Sequence, residues 1–126
     1  MSEIIAVALG GAVGAVGRFA VVNTAFAIWG RDFPWGVLIA NVIGSFLLGL
    51  LGVLFVLKFD VPAEWRAALL IGCLGAFTTF STFSLDTLLM IEEGFIAKAL
   101  GNVFGNVLIC LVAVWTGAIL ARQVAH

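Results

Sequence analysis

Gly75-Ala76-Phe77-Thr78-Thr79-Phe80-Ser81-Thr82-Phe83-Ser84 places five hydroxyl residues and three phenylalanines in ten positions, inside an otherwise apolar stretch covering 67–91. On a helix, Phe80 and Phe83 share one face at i, i+3, Ser81 and Ser84 a second, and Thr79 and Thr82 a third, so hydroxyls surround a phenylalanine edge. Gly75 and the β-branched threonines also weaken helical structure. At membrane depth irregular backbone is tolerated where protein or a cavity covers it, and its freed carbonyls can then coordinate a cation. The segment therefore predicts a membrane helix with a local break.

The rest of the chain supports a membrane setting. Of 126 residues, 63% are hydrophobic and 10% charged, against about 45–50% and 25% in a soluble domain. Spans are expected at about 4–29, 37–57, 67–91 and 99–121, each near the ~20 apolar residues a bilayer crossing requires. The intervening breaks at 30–34, 58–66 and 92–98 are short and carry charges or turn residues. Trp29, Trp35 and Trp65 flank them, where indole favours the membrane interface. What lies outside the spans is too short to fold separately, so 1–126 reads as a single four-helix transmembrane domain. The fold class is an all-α membrane protein with four transmembrane helices and a break in the third. The start, Met1-Ser2-Glu3, lacks the basic segment of a signal peptide, so the first span is expected to be retained. Cys73 and Cys110 fall within spans and read as packing residues, with no disulfide. Nothing in the charge pattern points to nucleic acid.

Orientation is nearly undetermined by charge. Lys58, Arg66 and Arg122 fall on the side of both termini and Arg31 and Lys98 on the other, so the usual cytoplasmic excess of basic residues is almost absent. Either one charge suffices or the chain inserts both ways. In the second case an antiparallel homodimer is the natural assembly, with Gly10, Gly14, Gly17 and the pair Gly101 and Gly105 as candidate close-approach surfaces.

Polar residues inside the spans carry the functional reading. Arg18 lies about two-thirds of the way along the first span, at an insertion cost of at least roughly 2.5–3.5 kcal/mol. It either snorkels or faces an aqueous mouth that attracts anions. Asn41, Ser45 and Gly49 recur at i, i+4 and i+8 on the second span, as do Asn102, Asn106 and Cys110 on the fourth. Two such stripes favour a lined pathway, although they can also hydrogen-bond each other. Asp86 is the one acid well inside a span, whereas cation pores use carboxylate rings or ordered carbonyls. Amides, hydroxyls and Arg18 are donors, and a phenylalanine edge is the positive end of its quadrupole. The set argues for a permeating anion.

The chain resembles the Fluc (CrcB) fluoride channels over essentially its whole length. The resemblance rests on Gly17-Arg18, on Asn41-Val42-Ile43-Gly44, and above all on Gly75-x-x-Thr78-Thr79-Phe80-Ser81-Thr82-Phe83-Ser84, with Asn102 and Asn106 in the fourth span. It implies a non-enzymatic channel in a bacterial or archaeal plasma (inner) membrane, surrounded by lipid and mediating passive fluoride efflux. It implies a dual-topology homodimer of two antiparallel copies with two fluoride pores. It also implies one structural Na⁺ at the two-fold axis, held by backbone carbonyls of Gly75 and Thr78. Phe80, Phe83 and Asn41 would line the fluoride path, with Thr79, Thr82, Ser81, Asn106, Asn102 and Arg18 as further path residues. Cys110 stands where several members carry serine. A proton-coupled drug antiporter and an accessory membrane subunit are the competing readings. The first needs an intramembrane carboxylate better placed than Glu3 or Asp86, and the second leaves the phenylalanine and hydroxyl cluster unexplained.

Overall fold

The computed structural model describes residues 2–126, so residue 1 of the expected domain lies outside the described residues. Four helical spans follow one another: α1 (Ser2–Trp29), α2 (Trp35–Leu57), a third span (Ala63–Glu92) and a fourth, α5 (Ile96–Ala125). Each is long and apolar enough to cross a bilayer. Six of the eight ends run one to four residues past the expected limits, and those at Trp29 and Leu57 coincide with them. Apolar pattern marks the hydrocarbon core, whereas hydrogen bonding carries a helix on into the headgroup layer.

The third span is two helices. The first, α3 (residues 63–77), begins with an α-helical turn at Ala63–Arg66. It widens into π-type turns over Ala67–Leu74 and closes with Gly75–Phe77. Thr78 (φ −88°, ψ 157°) and Thr79 (φ −154°, ψ 120°) are extended, and α4 (Phe80–Glu92) restarts with Thr79 as its N-cap. The break falls inside the decamer, as expected. A second π-type stretch, Gly105–Ile109, interrupts α5. Such wide turns depend on packing around the helix and left no mark in the pattern.

Two glycine seams set the packing. α1 lies against α3, where a Cβ on Gly10 would overlap the Ala68 carbonyl and one on Gly14 the Cys73 carbonyl. α2 lies against the C-terminal half of α5, where Gly49 meets the Val114 carbonyl and Gly117 the Phe46 carbonyl in the same way. Without cavity-filling side chains the backbones approach closely, which is how helices associate when lipid is as apolar as leucine. This corrects one expectation, because Gly10 and Gly14 are occupied within the chain and are not a free surface for a second copy. Gly101 meets nothing within 4 Å.

Candidate functional site

A cavity of about 410 Å³ opens where α2, the Thr78–Thr79 break, α4 and α5 converge. Its wall includes Asn41, Ser45, Thr78, Thr79, Phe80, Phe83, Asn106 and Cys110, backed by Leu48, Val107, Leu111 and Val114. The site arises from the break. A continuous helix would use the Thr79 N–H and C=O internally, whereas the extended backbone leaves both without helical partners, a costly state away from water.

Asn41 supplies the missing partners. Its Oδ1 accepts from the Thr79 N–H at 2.8 Å and its Nδ2 donates to the Thr79 carbonyl at 3.2 Å. One side-chain amide thus replaces a backbone amide. Gly44, one turn further along α2, makes room for the break, since a Cβ there would strike the Thr78 methyl. The Thr79 hydroxyl caps α4 by accepting from the Thr82 N–H at 3.2 Å. It also contacts the Thr82 hydroxyl at 3.2 Å and the Ser81 hydroxyl at 3.3 Å. That cap satisfies one of the orphan donors every helix start presents.

The two asparagine stripes hydrogen-bond each other, one of the alternatives the spacing left open. Asn41 Nδ2 also donates to Asn106 Oδ1 at 2.8 Å. Asn106 Nδ2 donates to Asn102 Oδ1 at 3.0 Å and to the Asn102 carbonyl at 2.9 Å. Asn102, 0% exposed, donates to Thr87 Oγ1 at 3.0 Å, and Thr87 donates to the Phe83 carbonyl at 2.8 Å. Among the described residues no buried side-chain nitrogen or oxygen lacks a partner. Sequence reading missed Thr87. It lies one turn beyond Phe83, and carrying the hydroxyl pattern past Ser84 at helical spacing would have reached it.

Phe83 is buried at 7% exposure and Phe80 stands out at 76%. Their rings meet edge to face with centroids 5.2 Å apart, a geometry that offers positively polarised edges. Of the expected path residues, the structure brings Asn41, Thr79, Phe80, Phe83 and Asn106 to the cavity. Thr82 and Asn102 stand behind them in the hydrogen-bond network, and Ser81, exposed on α4, contacts the Thr79 hydroxyl. Arg18 is half-buried on α1 and is not part of the wall. Ser45 and Cys110 join the wall, and they adjoin each other.

Gly75 and Thr78 are among the four carbonyls, 75–78, that end α3 without a helical donor, as the last carbonyls of any helix do. The helical donor for Gly75 O would be the Thr79 N–H, which Asn41 takes; the donor for Thr78 O would be the Thr82 N–H, which the Thr79 hydroxyl takes. Two oxygens three residues apart are released from helical pairing, a hard donor set of the kind that suits Na⁺. No group of three or more His, Cys, Asp or Glu side chains suited to a metal occurs among the described residues.

Asp86 lies outside the cavity. It joins Arg31, Asp32, Glu93 and Lys98 around a separate space of about 350 Å³ at one end of the bundle. There Arg31 stacks over Phe26 at 4.3 Å and Lys98 over Phe95 at 4.5 Å. The carboxylate an antiporter would need is therefore not on the wall that carries the phenylalanines.

Comparison with known proteins gives a family model described as CrcB-like protein, Camphor Resistance (CrcB), matching residues 5–118. Three curated relatives are each named fluoride-specific ion channel FluC. The protein from Methylococcus capsulatus is 56% identical over 123 residues, covering 98% of this chain and 54% of that one. Those from Hydrogenovibrio crunogenus and Magnetococcus marinus are 49% and 48% identical, covering 96% and 94% of this chain and 92% and 96% of theirs. The chain thus spans about half the length of the Methylococcus relative and nearly all of the other two.

Proposed function

This chain belongs to the CrcB-like family, and on that premise we propose that it is a fluoride-selective channel through which the ion leaves the cell passively, with no catalytic step. The observation that carries the reading is the edge-to-face pair of Phe80 and Phe83 on the wall of an otherwise apolar cavity that also holds Ser45, Thr79 and Cys110. Fluoride is small and strongly hydrated, so an entry path must replace its water with several weak donors at once. Hydroxyls and ring edges do this without a fixed charge that would hold the ion.

The working unit is a homodimer of two antiparallel copies in a bacterial or archaeal inner membrane, with two pores. The near-equal basic residues of the two sides support this arrangement, and so does Phe80, whose ring stands largely uncovered beside the cavity. One chain leaves that wall open. A second copy would close it.

Na⁺ is the implied structural ion, and the residues fit it: Gly75 and Thr78 present carbonyl oxygens that no helical N–H occupies. Two oxygens are too few for a sodium ion, so the matching pair of a second copy would complete the set. Bound there, the ion supplies a positive charge that ties two broken helices together.

The test is fluoride efflux from liposomes containing the purified protein, with chloride as comparison and Phe80→Ile and Phe83→Ile alongside. Wild type is expected to release fluoride and retain chloride, and either substitution to abolish release. A wild type that releases no fluoride would falsify the channel reading.

A further inference from the structure

The hydrogen bonds around the cavity form one directed chain. From Asn41 it runs Nδ2 to Asn106 Oδ1, Nδ2 to Asn102 Oδ1, Nδ2 to Thr87 Oγ1, and O–H to the Phe83 carbonyl. Its direction is fixed at both ends by backbone. The Thr79 N–H can only donate, so it must face Asn41 Oδ1, which turns the Asn41 amide nitrogen toward the Thr79 carbonyl and Asn106. The Phe83 carbonyl can only accept, so Thr87 must donate to it and receive from Asn102. Reversing any one amide in between would set donor against donor.

The chain has a consequence for the cavity. Both amide hydrogens of Asn41 and both of Asn106 point at protein acceptors. Neither residue therefore offers a free N–H to an ion, although both line the wall. The Thr78 and Thr79 hydroxyls likewise donate to the Leu74 carbonyl and to Thr82 Oγ1. The donors that remain for the ion are the Ser45 hydroxyl, the Cys110 thiol and the two ring edges.

We propose that Thr87 and Asn102 are positioning residues that keep the path weakly binding by holding the Asn106 and Asn41 amide hydrogens away from the ion. Neither touches the cavity. Thr87 anchors Asn102, and Asn102 Oδ1 occupies one hydrogen of Asn106. If Thr87 loses its oxygen, the fully buried Asn102 Nδ2 must turn to find another acceptor, because an unpaired buried donor is costly. Its Oδ1 then leaves Asn106, whose amide is no longer held behind the wall and can turn the freed N–H toward the cavity that Asn106 lines. An added strong donor deepens a site that must stay shallow for the ion to leave. The inference rests on the channel reading and adds a role for residues behind the wall.

The experiment measures fluoride efflux from liposomes over a range of fluoride concentrations for wild type, Thr87→Val and Thr87→Ser. Valine keeps the shape and removes the oxygen, while serine keeps the oxygen. Thr87→Val is expected to lower the maximal rate and also to lower the half-saturating fluoride concentration, by about fivefold, the factor that one net hydrogen bond is worth. Thr87→Ser is expected to stay within about twofold of wild type on both, since the net bond is kept. A merely structural role would lower the maximal rate with half-saturation unchanged, and that result overturns the proposal, as does equal behaviour of the two variants. Should Thr87→Val fail to give monodisperse protein, Thr87→Ala carries the same comparison. A wild type that conducts no fluoride overturns the channel reading and this one with it. A conducting wild type beside an unaltered Thr87→Val overturns only this one.

Discussion

The side chain of Asn41 closes on both polar groups of the Thr79 backbone, N–H at 2.8 Å and C=O at 3.2 Å, and so completes a helix break with an amide borrowed from a neighbouring span. The substitution most damaging to the site should therefore lie one helix away from the break.

Asn41→Leu strips partners from the Thr79 N–H, the Thr79 carbonyl and Asn106 Oδ1 together. At about 1–3 kcal/mol per orphaned group, partly relieved by relaxation, a loss of about 3–5 kcal/mol is expected. Thermal unfolding in detergent measures it. Asn41→Asp keeps the acceptor for the Thr79 N–H and should fall between the two. Equal stability of all three proteins would mean that the amide does not support the break.

The glycine seams make a graded prediction. Gly14→Ala and Gly49→Ala push a methyl group into the Cys73 and Val114 carbonyls, and backbone must shift to admit it. Each should cost about 1–3 kcal/mol. Gly52→Ala and Gly101→Ala meet nothing within 4 Å and should stay within about 0.5 kcal/mol of wild type in the same unfolding assay.

Phe80 and Phe83 should separate stability from transport. Phe83 is buried, so Phe83→Ala is expected to destabilise by about 3–5 kcal/mol. The exposed Phe80 leaves no cavity when truncated, and Phe80→Ala should cost under about 1 kcal/mol while removing fluoride efflux. Efflux preserved in a stable Phe80→Ala protein would take Phe80 out of the path.

Cys110 offers a direct probe of the cavity wall. With Cys73 replaced by serine, a charged methanethiosulfonate reagent should attach to Cys110 and suppress most of the fluoride efflux. Cys110→Ser in the same background should be indifferent to the reagent. Full efflux from a protein shown by mass to be labelled at Cys110 would place the ion elsewhere.

The amino-acid sequence carries some of these features plainly and others not at all. The four spans and the break were legible because hydropathy and the glycine, threonine and phenylalanine run report on solvent and backbone directly. Asn41, Asn102 and Asn106 were legible as stripes, but periodicity gives a face and not what it meets. Whether the amides met an ion or each other waited for the distances. Arg18 shows the same limit, since position along a span fixes depth and leaves the direction open, and its helix turns out to carry no residue of the wall. Thr87 was overlooked because it lies beyond the dense hydroxyl run that ends at Ser84, its importance residing wholly in its partners. The glycines of α1 were read correctly as close-approach residues and assigned to the wrong neighbour, because composition cannot tell an intrachain seam from an interchain one.

The wide turns at Gly105–Ile109 act as a phase adjuster. Upstream, α5 aims Asn102 and Asn106 at α2, α4 and the break; downstream, it aims Gly117 at the backbone of α2 alone. A regular α-helix advances about 100° per residue and would hold both aims only if the two target directions happened to agree. One residue of slack reconciles them. Winding the same residues into a regular α-helix would swing everything beyond them by about a quarter turn or more, carrying Cys110 off the cavity and Gly117 off its seam at once. Deleting one residue there would instead remove the slack and leave both aims nearly as they are. The small irregularity is thus the joint that lets one helix serve a polar site and a tight packing contact that are out of step with each other.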